Sequence, residues 1–327
     1  EVIAYLNEDG NRPSLGESID QIWARREPWY RLCSNSEYFN LVHPSVDHAL
    51  VSEVQQAKRA MRQFFRFITG VDTNHVPLDP PVPRNTHFLS LTFPSLSPCR
   101  EEDAASLDRF EELTVGCDAV ELRVDLLSTS GKPPTTPSIP PTEFVIKQVA
   151  ALRRLTTLPI IYTVRTCSQG GMFPDGQPED WCKLTAMGFR TGCEYVDVEL
   201  GLSPEQNKAL YSQKGHSKII ASHHDLAGRL KWGCSEMIQI YHQLRSYGDL
   251  VKLVSRASDG LEDNLAMLEF RRKHATLKKE QQTLITINMG RSGQMSRILS
   301  PVLSPTTHPL LPGPPAAPGQ LSFRQIQ

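Results

Sequence analysis

Two rhythms of apolar residues divide the chain. Over the first 70 positions they recur at helical spacing, which predicts helices over 17–40 and 46–68. In the second, Val51, Val54, Ala57, Met61, Phe64, Phe65 and Phe67 alternate with Glu53, Lys58, Arg59 and Arg62. From residue 87 short β-branched or aromatic runs take over: HFLSLTF (87–93), DAVELRVDLL (118–127), PIIYTVRT (159–166), CEYVDVEL (193–200), SKIIASHHD (217–225), DLVKLVSRA (249–257) and LITINMG (284–290). Helical patterns separate them, near 101–115, 142–155, 178–191, 203–213, 234–246 and 260–274. Strict alternation of strand and helix predicts an α/β protein with a parallel sheet covered by helices. A short eighth strand near 306–308 and a helix starting at GQLSFRQIQ would close a (β/α)8 TIM barrel. An open doubly wound sheet would want a Gly-rich phosphate turn after its first strand, and none is there. A phosphate-binding G-x-x-x-x-G-K-[ST] is also lacking.

Proline marks the seams. VPLDPPVPRN (76–85) reads as a linker between a helical piece, 1–75, and a barrel, 86–327. GKPPTTPSIPP (131–141) lies inside the strand–helix alternation and reads as a surface insertion. LSPTTHPLLPGPPAAPGQLS (303–322) is either a disordered tail or an ordered loop over a site.

Composition narrows the classes. With 35 Lys+Arg against 36 Asp+Glu the formal charge is −1, so the chain lacks the basic excess that binds nucleic acid by bulk electrostatics. No run of about 18 apolar residues exists to span a membrane. The start, EVIAYLNEDGNRP, has neither a secretory signal's pattern nor an initiator Met, and reads as a fragment or a processed chain. The seven cysteines are scattered without a C-x-x-C pair, which favours reduced thiols in the cytoplasm over a disulfide framework or a zinc site.

The chemistry lies in charges that interrupt apolar strands. Strands of a parallel sheet are buried on both faces and should be apolar. Here Glu121, Arg123 and Asp125 share one strand face by the period of two, Arg165 ends another strand, and His223, His224 and Asp225 end a third. Lys252 sits among Leu250, Val251, Leu253 and Val254. It is either an end-of-strand lysine in a salt bridge or buried. If buried, desolvation disfavours its ammonium form and exposes the amine that forms a Schiff base with a ketone. Inward side chains at the C-terminal ends of barrel strands converge on one pocket. Two Gly-containing turns, SQGGMFPDG (168–176) and MGRSGQMSR (289–297), follow strands; the second delivers Arg297, which could clamp a carboxylate bidentately.

In order along the chain, FLSLTFP, DAVELRVDLL, LPIIYTVRT, SQGG, FPD, GCEYVDVEL, KIIASHHD, YGDLVKLV, LEDNLAMLEF, SGQMSRIL, THPLLP and AAPGQLS resemble the type I 3-dehydroquinate dehydratase family. The form they resemble most is the one embedded in fungal pentafunctional AROM proteins. EVIAYL, NRPSLGESI, IWARREPWY and CSNSEYFN resemble the C-terminal end of a shikimate kinase domain, including its lid (Arg12 and Pro13) and a shikimate-contacting arginine (Arg26), but without the nucleotide P-loop. GQLSFRQIQ resembles the run-in to a shikimate dehydrogenase-like domain.

The resemblance implies a (β/α)8 barrel that dehydrates 3-dehydroquinate to 3-dehydroshikimate. Lys252 would form an imine with the C3 ketone, and His224 would remove the C2 proton and protonate the departing C1 hydroxyl. Glu121 would be the acid paired with that histidine. Arg297 would hold the substrate carboxylate, and Arg123, Arg165 and Gln320 its hydroxyl groups, with 303–322 as a lid. No metal or diffusible cofactor is implied, because the protein's imine is the electron sink. Cys167 and Ser292 stand near positions where a lysine is expected, and GPPAAPGQ is one residue longer than the usual lid. The same domain order occurs in fungal quinate repressors, which restrain a transcriptional activator protein. On that alternative the module would sense the metabolite, without turnover and without binding nucleic acid itself, and could be nuclear. A homodimer is a further possible assembly.

Overall fold

A computed structural model describes residues 18–41, 51–76, 84–96, 107–258, 261–275, 283–311 and 313–326. Arg12, Pro13, most of the 76–85 linker and the start of the helix expected at 101 lie outside these residues. The chain divides into two compact units, Glu1–Glu37 and Tyr38–Gln327.

In the first unit, helix α1 (Ile19–Cys33) starts on a capping box, in which the Ser18 hydroxyl accepts from the Gln21 backbone and the Gln21 side chain accepts from the Ser18 N–H. It ends at Cys33, short of the expected 40, and Arg26 is exposed on it.

The second unit carries eight parallel strands: β1 (His87–Leu91), β2 (Ala119–Arg123), β3 (Ile160–Thr163), β4 (Tyr195–Glu199), β5 (Lys218–Asp225), β6 (Leu250–Arg256), β7 (Thr283–Met289) and β8 (Ser304–Thr306). Their order is β7-β6-β5-β4-β3-β2-β1-β8, a sheet curled into a nearly closed barrel with its seam between β7 and β8. The helix α9 (Gln294–Leu299) packs on both strands at that seam. The other helices of the unit are α2 (Val51–Ile68), α3 (Leu107–Thr114), α4 (Thr142–Leu155), α5 (Pro178–Arg190), α6 (Pro204–Ser212), α7 (Ser235–Arg245), α8 (Glu262–Ala275) and α10 (Phe323–Ile326). Among the described residues no helix is long and apolar enough to cross a membrane.

Several boundaries shift. The second expected strand stops at Arg123, and Asp125 lies in a single 3-10 turn beyond it, so the three charges do not share a strand face. Asp125 is nevertheless fully buried, because Arg123 reaches back to it through two hydrogen bonds of 2.9 and 2.8 Å. Arg165 follows β3 rather than ending it, β8 lies two residues before the expected position, and α10 starts at Phe323. In α2 the inward face is Ala60, Phe64 and Phe67, while Val54 and Phe65 point outward.

Two apolar clusters result. The larger lies between the strands and the surrounding helices. The smaller fills the barrel interior and contains Phe88, Ala119, Ile161, Tyr195, Ile220, Leu250 and Ile285. By the strand period of two, the residues above these include Ser90, Glu121, Thr163, Asp197, Ser222 and Lys252. A layer of charge therefore rests on an apolar layer.

Candidate active site

Lys252 lies mid-strand in β6 and is only 6% exposed. Its Nζ is 3.3 Å from Asp197 Oδ2 and 3.7 Å from Glu121 Oε1, and 5.6 Å from the centroid of Phe88. Burial and ion pairing, set against each other as alternatives for this residue, hold together. The carboxylates are themselves braced. Glu121 accepts from Ser90 Oγ at 2.5 Å and from Thr163 Oγ1 at 2.9 Å. Asp197 accepts from Ser222 Oγ and, at 2.8 Å, from Arg165 Nη2. Burial alone would push the Asp197 carboxyl up, but Arg165 and Lys252 hold it below the usual range.

Arg165 Nη1 donates to Glu199 Oε1 at 2.9 Å and to Ser222 Oγ at 3.0 Å. Most of its donors are therefore spent inside the barrel, which fits a brace better than a hydroxyl contact. Glu199 also accepts from the Thr166 N–H and hydroxyl, and burial pushes its carboxyl up.

His224 sits near the upper end of β5. Its backbone N–H donates to Gln169 Oε1 at 3.0 Å, and its Nδ1 lies 3.3 Å from the same oxygen. An amide oxygen at Nδ1 calls for the Nδ1–H tautomer, which leaves Nε2 unprotonated. Burial, reinforced by the positive Arg165 and Lys252, holds the imidazole well below its ordinary range, so the ring is neutral. Its partner is thus Gln169, and not Glu121 as expected: the Glu121 oxygens are turned to Ser90, Thr163 and Lys252. His223, the other imidazole of the pair, lies outside the cavity lining.

Arg297, on α9, is 1% exposed. Its Nη1 donates to the Pro305 carbonyl at 3.3 Å, and its Nε has no hydrogen-bond partner. The four carboxylates Glu121, Asp125, Asp197 and Glu199 are engaged with Arg123, Arg165 or Lys252, and none with Arg297. Burial without an anion pushes its guanidinium down to about 10.

The 303–322 stretch is an ordered loop over its described residues, not a tail. The Gly290 N–H donates to the Pro318 carbonyl at 3.0 Å, and the Thr307 N–H to the Leu321 carbonyl at 3.0 Å. Gly319, with φ of +76°, lies so close to Gly290 that a Cβ there would meet its carbonyl oxygen at 2.2 Å. Gln320 Nε2 donates to the Thr306 carbonyl at 2.8 Å. The insertion at 131–141 follows β2 and therefore lies at the C-terminal face of the barrel. It touches the loop that carries Gln169, through Ser138 N–H to the Met172 carbonyl at 3.0 Å. Met172 N–H in turn donates to Asp125 at 3.0 Å.

The seven residues to which the resemblance assigns a role in the barrel (Glu121, Arg123, Arg165, His224, Lys252, Arg297 and Gln320) line one cavity of about 120 Å³. Gln169, Ser90 and the apolar Ile287 and Met289 line it too, whereas Cys167 and Ser292 do not. Sequence reasoning missed Asp197, Glu199 and Gln169. The first two carried the same signal as Glu121, acids at alternate positions of the apolar run YVDVE. Gln169 is a loop residue with no periodicity to reveal it.

The family model for type I 3-dehydroquinase matches residues 90–327. The pentafunctional AROM polypeptide of Mycosarcoma maydis is 41% identical over 338 aligned residues, covering 97% of this chain but 19% of that protein. The dehydroquinate dehydratase and shikimate dehydrogenase structure from S. pombe AroM matches with 46% identity and a TM-score of 0.65, over 75% of this chain and 44% of that one. A type I 3-dehydroquinate dehydratase from Clostridium difficile, solved with covalently modified comenic acid, matches in fold at 20% identity and a TM-score of 0.58, over 75% of this chain and 90% of that one.

Proposed function

Because this chain belongs to the type I 3-dehydroquinase family, we propose that its barrel converts 3-dehydroquinate to 3-dehydroshikimate through an imine on Lys252. The observation that carries the reading is the meeting, in one cavity, of a buried lysine, an imidazole whose Nδ1 faces an amide oxygen, and a buried guanidinium that lacks an anion. An orphaned buried cation is costly, and a substrate carboxylate is the group that relieves it.

The steps follow from the side chains. The substrate carboxylate binds Arg297. The ionised Lys252 gives a proton to Asp197, 3.3 Å away, and its amine attacks the C3 ketone; that proton leaves with the former ketone oxygen as water, and a protonated imine forms. The imine draws electrons from C2, whose proton passes to His224 Nε2. The resulting enamine expels the C1 hydroxyl as His224 returns the proton to it, so the histidine ends neutral. Water then hydrolyses the imine and restores Lys252. Asp197 and Glu121 stabilise the nitrogen in the iminium states before and after the enamine. Arg123 keeps donors for a substrate hydroxyl, since only its Nε and Nη2 are bound to Asp125.

Adding 3-dehydroquinate to the purified chain and following the ultraviolet absorbance of the conjugated product tests this. The wild-type chain is expected to turn over and Lys252→Ala to be silent. Binding of the substrate without turnover by the wild-type chain would sink the enzymatic reading in favour of a metabolite sensor.

A further inference from the structure

The sequence assigns residues up to 75 to a kinase-like piece and 76–85 to a linker, yet Val76 is 3% exposed inside the barrel's lower apolar cluster. Its backbone N–H donates to the Tyr195 hydroxyl at 2.9 Å. Beside it, His75 Nε2 lies 3.2 Å from the Glu194 carbonyl, and its ring is 5.3 Å from that of Tyr195. Asn74 takes a left-handed backbone (φ 48°), and its Nδ2 donates to the Thr157 carbonyl at 2.9 Å and to Glu194 Oε1 at 3.4 Å. Upstream, Phe64 and Phe67 of α2 sit on Gly192, where a Cβ would meet the Phe64 ring at 3.1 Å. Arg59 donates to the Arg154 carbonyl, and Arg154 donates to the Leu41 carbonyl and to Asn40.

We infer that residues 38–41 and 51–76 form the floor of this barrel, and that 74–76 seal its N-terminal mouth so that the charged layer around Lys252 meets water only at the face bearing the lid. The placement is independent of where the segment's sequence resemblance lies: a stretch can look like the end of one domain and pack as the base of the next. The geometry explains why a seal is needed. Tyr195, which Val76 caps, is two residues below Asp197, and Leu250 is two below Lys252, so one apolar layer separates the floor from the ion pairs. Water admitted from below would raise the local dielectric and weaken the fields that hold the iminium. This catalytic consequence rests on the dehydratase reading; the placement of the floor does not.

The test is made on the full chain with Val76→Asp, Val76→Ala and the conservative Val76→Ile, by amide hydrogen exchange and steady-state kinetics. A carboxylate cannot sit unpaired among Tyr195, Ile220 and Leu250, so Val76→Asp is expected to raise exchange about tenfold or more at 195–197, 220–222 and 250–252. It should lower kcat about tenfold with a smaller change in KM, while Val76→Ile stays near wild type. If the aspartate variant fails to fold, Val76→Ala shows the same pattern at smaller amplitude. Exchange that rises only within 51–76, with barrel strands and kcat unchanged, overturns the inference. A wild-type chain without turnover would defeat the dehydratase reading and leave the exchange result to decide the floor by itself.

Discussion

Two buried arginines, Arg153 at the floor of the barrel and Arg297 at its cavity, are treated in opposite ways. At the floor, Arg153 (5% exposed) meets Glu194 through hydrogen bonds of 2.8 and 2.6 Å and gives a third, of 2.7 Å, to the Gly192 carbonyl. Glu194 accepts in addition from the Ile160 N–H. On the cavity side, Arg297 (1% exposed) has one carbonyl and an idle Nε. Burial is equal or greater where satisfaction is less. A buried charge met by a carboxylate marks structure, whereas one left without an anion beside an open cavity marks a place for a ligand.

After the loss of turnover in Lys252→Ala, the largest effect should come from the imidazole. His224→Ala is expected to lower kcat by roughly 10²–10⁴-fold, measured in the absorbance assay, with thermal stability nearly unchanged. Because the folded His224 titrates well below 6.5, the acid limb of kcat/KM should fall below that pH. A limb at or above 6.5 would contradict the neutral ring.

The two arginines then separate stability from binding. Arg153→Ala leaves Glu194 buried and unpaired, and should cost about 3–5 kcal/mol in denaturant unfolding. Arg297→Met should leave stability level or slightly higher and raise KM, because charge-assisted hydrogen bonds contribute about 1.5–3 kcal/mol, or roughly 10–150-fold. Equal destabilisation by both substitutions would erase the contrast. A smaller change, about tenfold in kcat at constant KM, is expected from Gln169→Ala, which frees the His224 tautomer. If rates hold steady, the amide oxygen does not orient the ring.

The smallest effect concerns the floor and pH. Burial, with Lys218 nearby, pushes His75 down to about 4 from 6.5. The unfolded chain therefore takes up the proton more readily than the folded one. The stability this residue confers is complete above about pH 6.5 and is lost as pH falls toward 4. His75→Gln should flatten that part of the unfolding-versus-pH curve. An unchanged slope would show that the ring does not titrate with folding.

Much of this was legible in the chain because buried strands have little tolerance for charge. Glu121, Arg123, Arg165, His224 and Lys252 stood out against apolar neighbours, and strand–helix alternation placed them at one end of a barrel. What stayed hidden was set by contacts that periodicity does not encode. The Arg123–Asp125 pair depends on a turn after β2. Gln169 reaches His224 from a loop whose path is fixed by Gly170 (φ 87°) and by Phe173 N–H bonding the Arg165 carbonyl. Val76 looked like linker because prolines crowd the residues after it, and one valine carries no period from which burial could be read.

The central claim is that Lys252 is the residue that bonds substrate, and peptide mass mapping after borohydride reduction in the presence of 3-dehydroquinate tests it most directly. The account predicts one reduced adduct, on the peptide containing Lys252, that disappears in Lys252→Ala. An adduct on another lysine, or none while turnover proceeds, would contradict it.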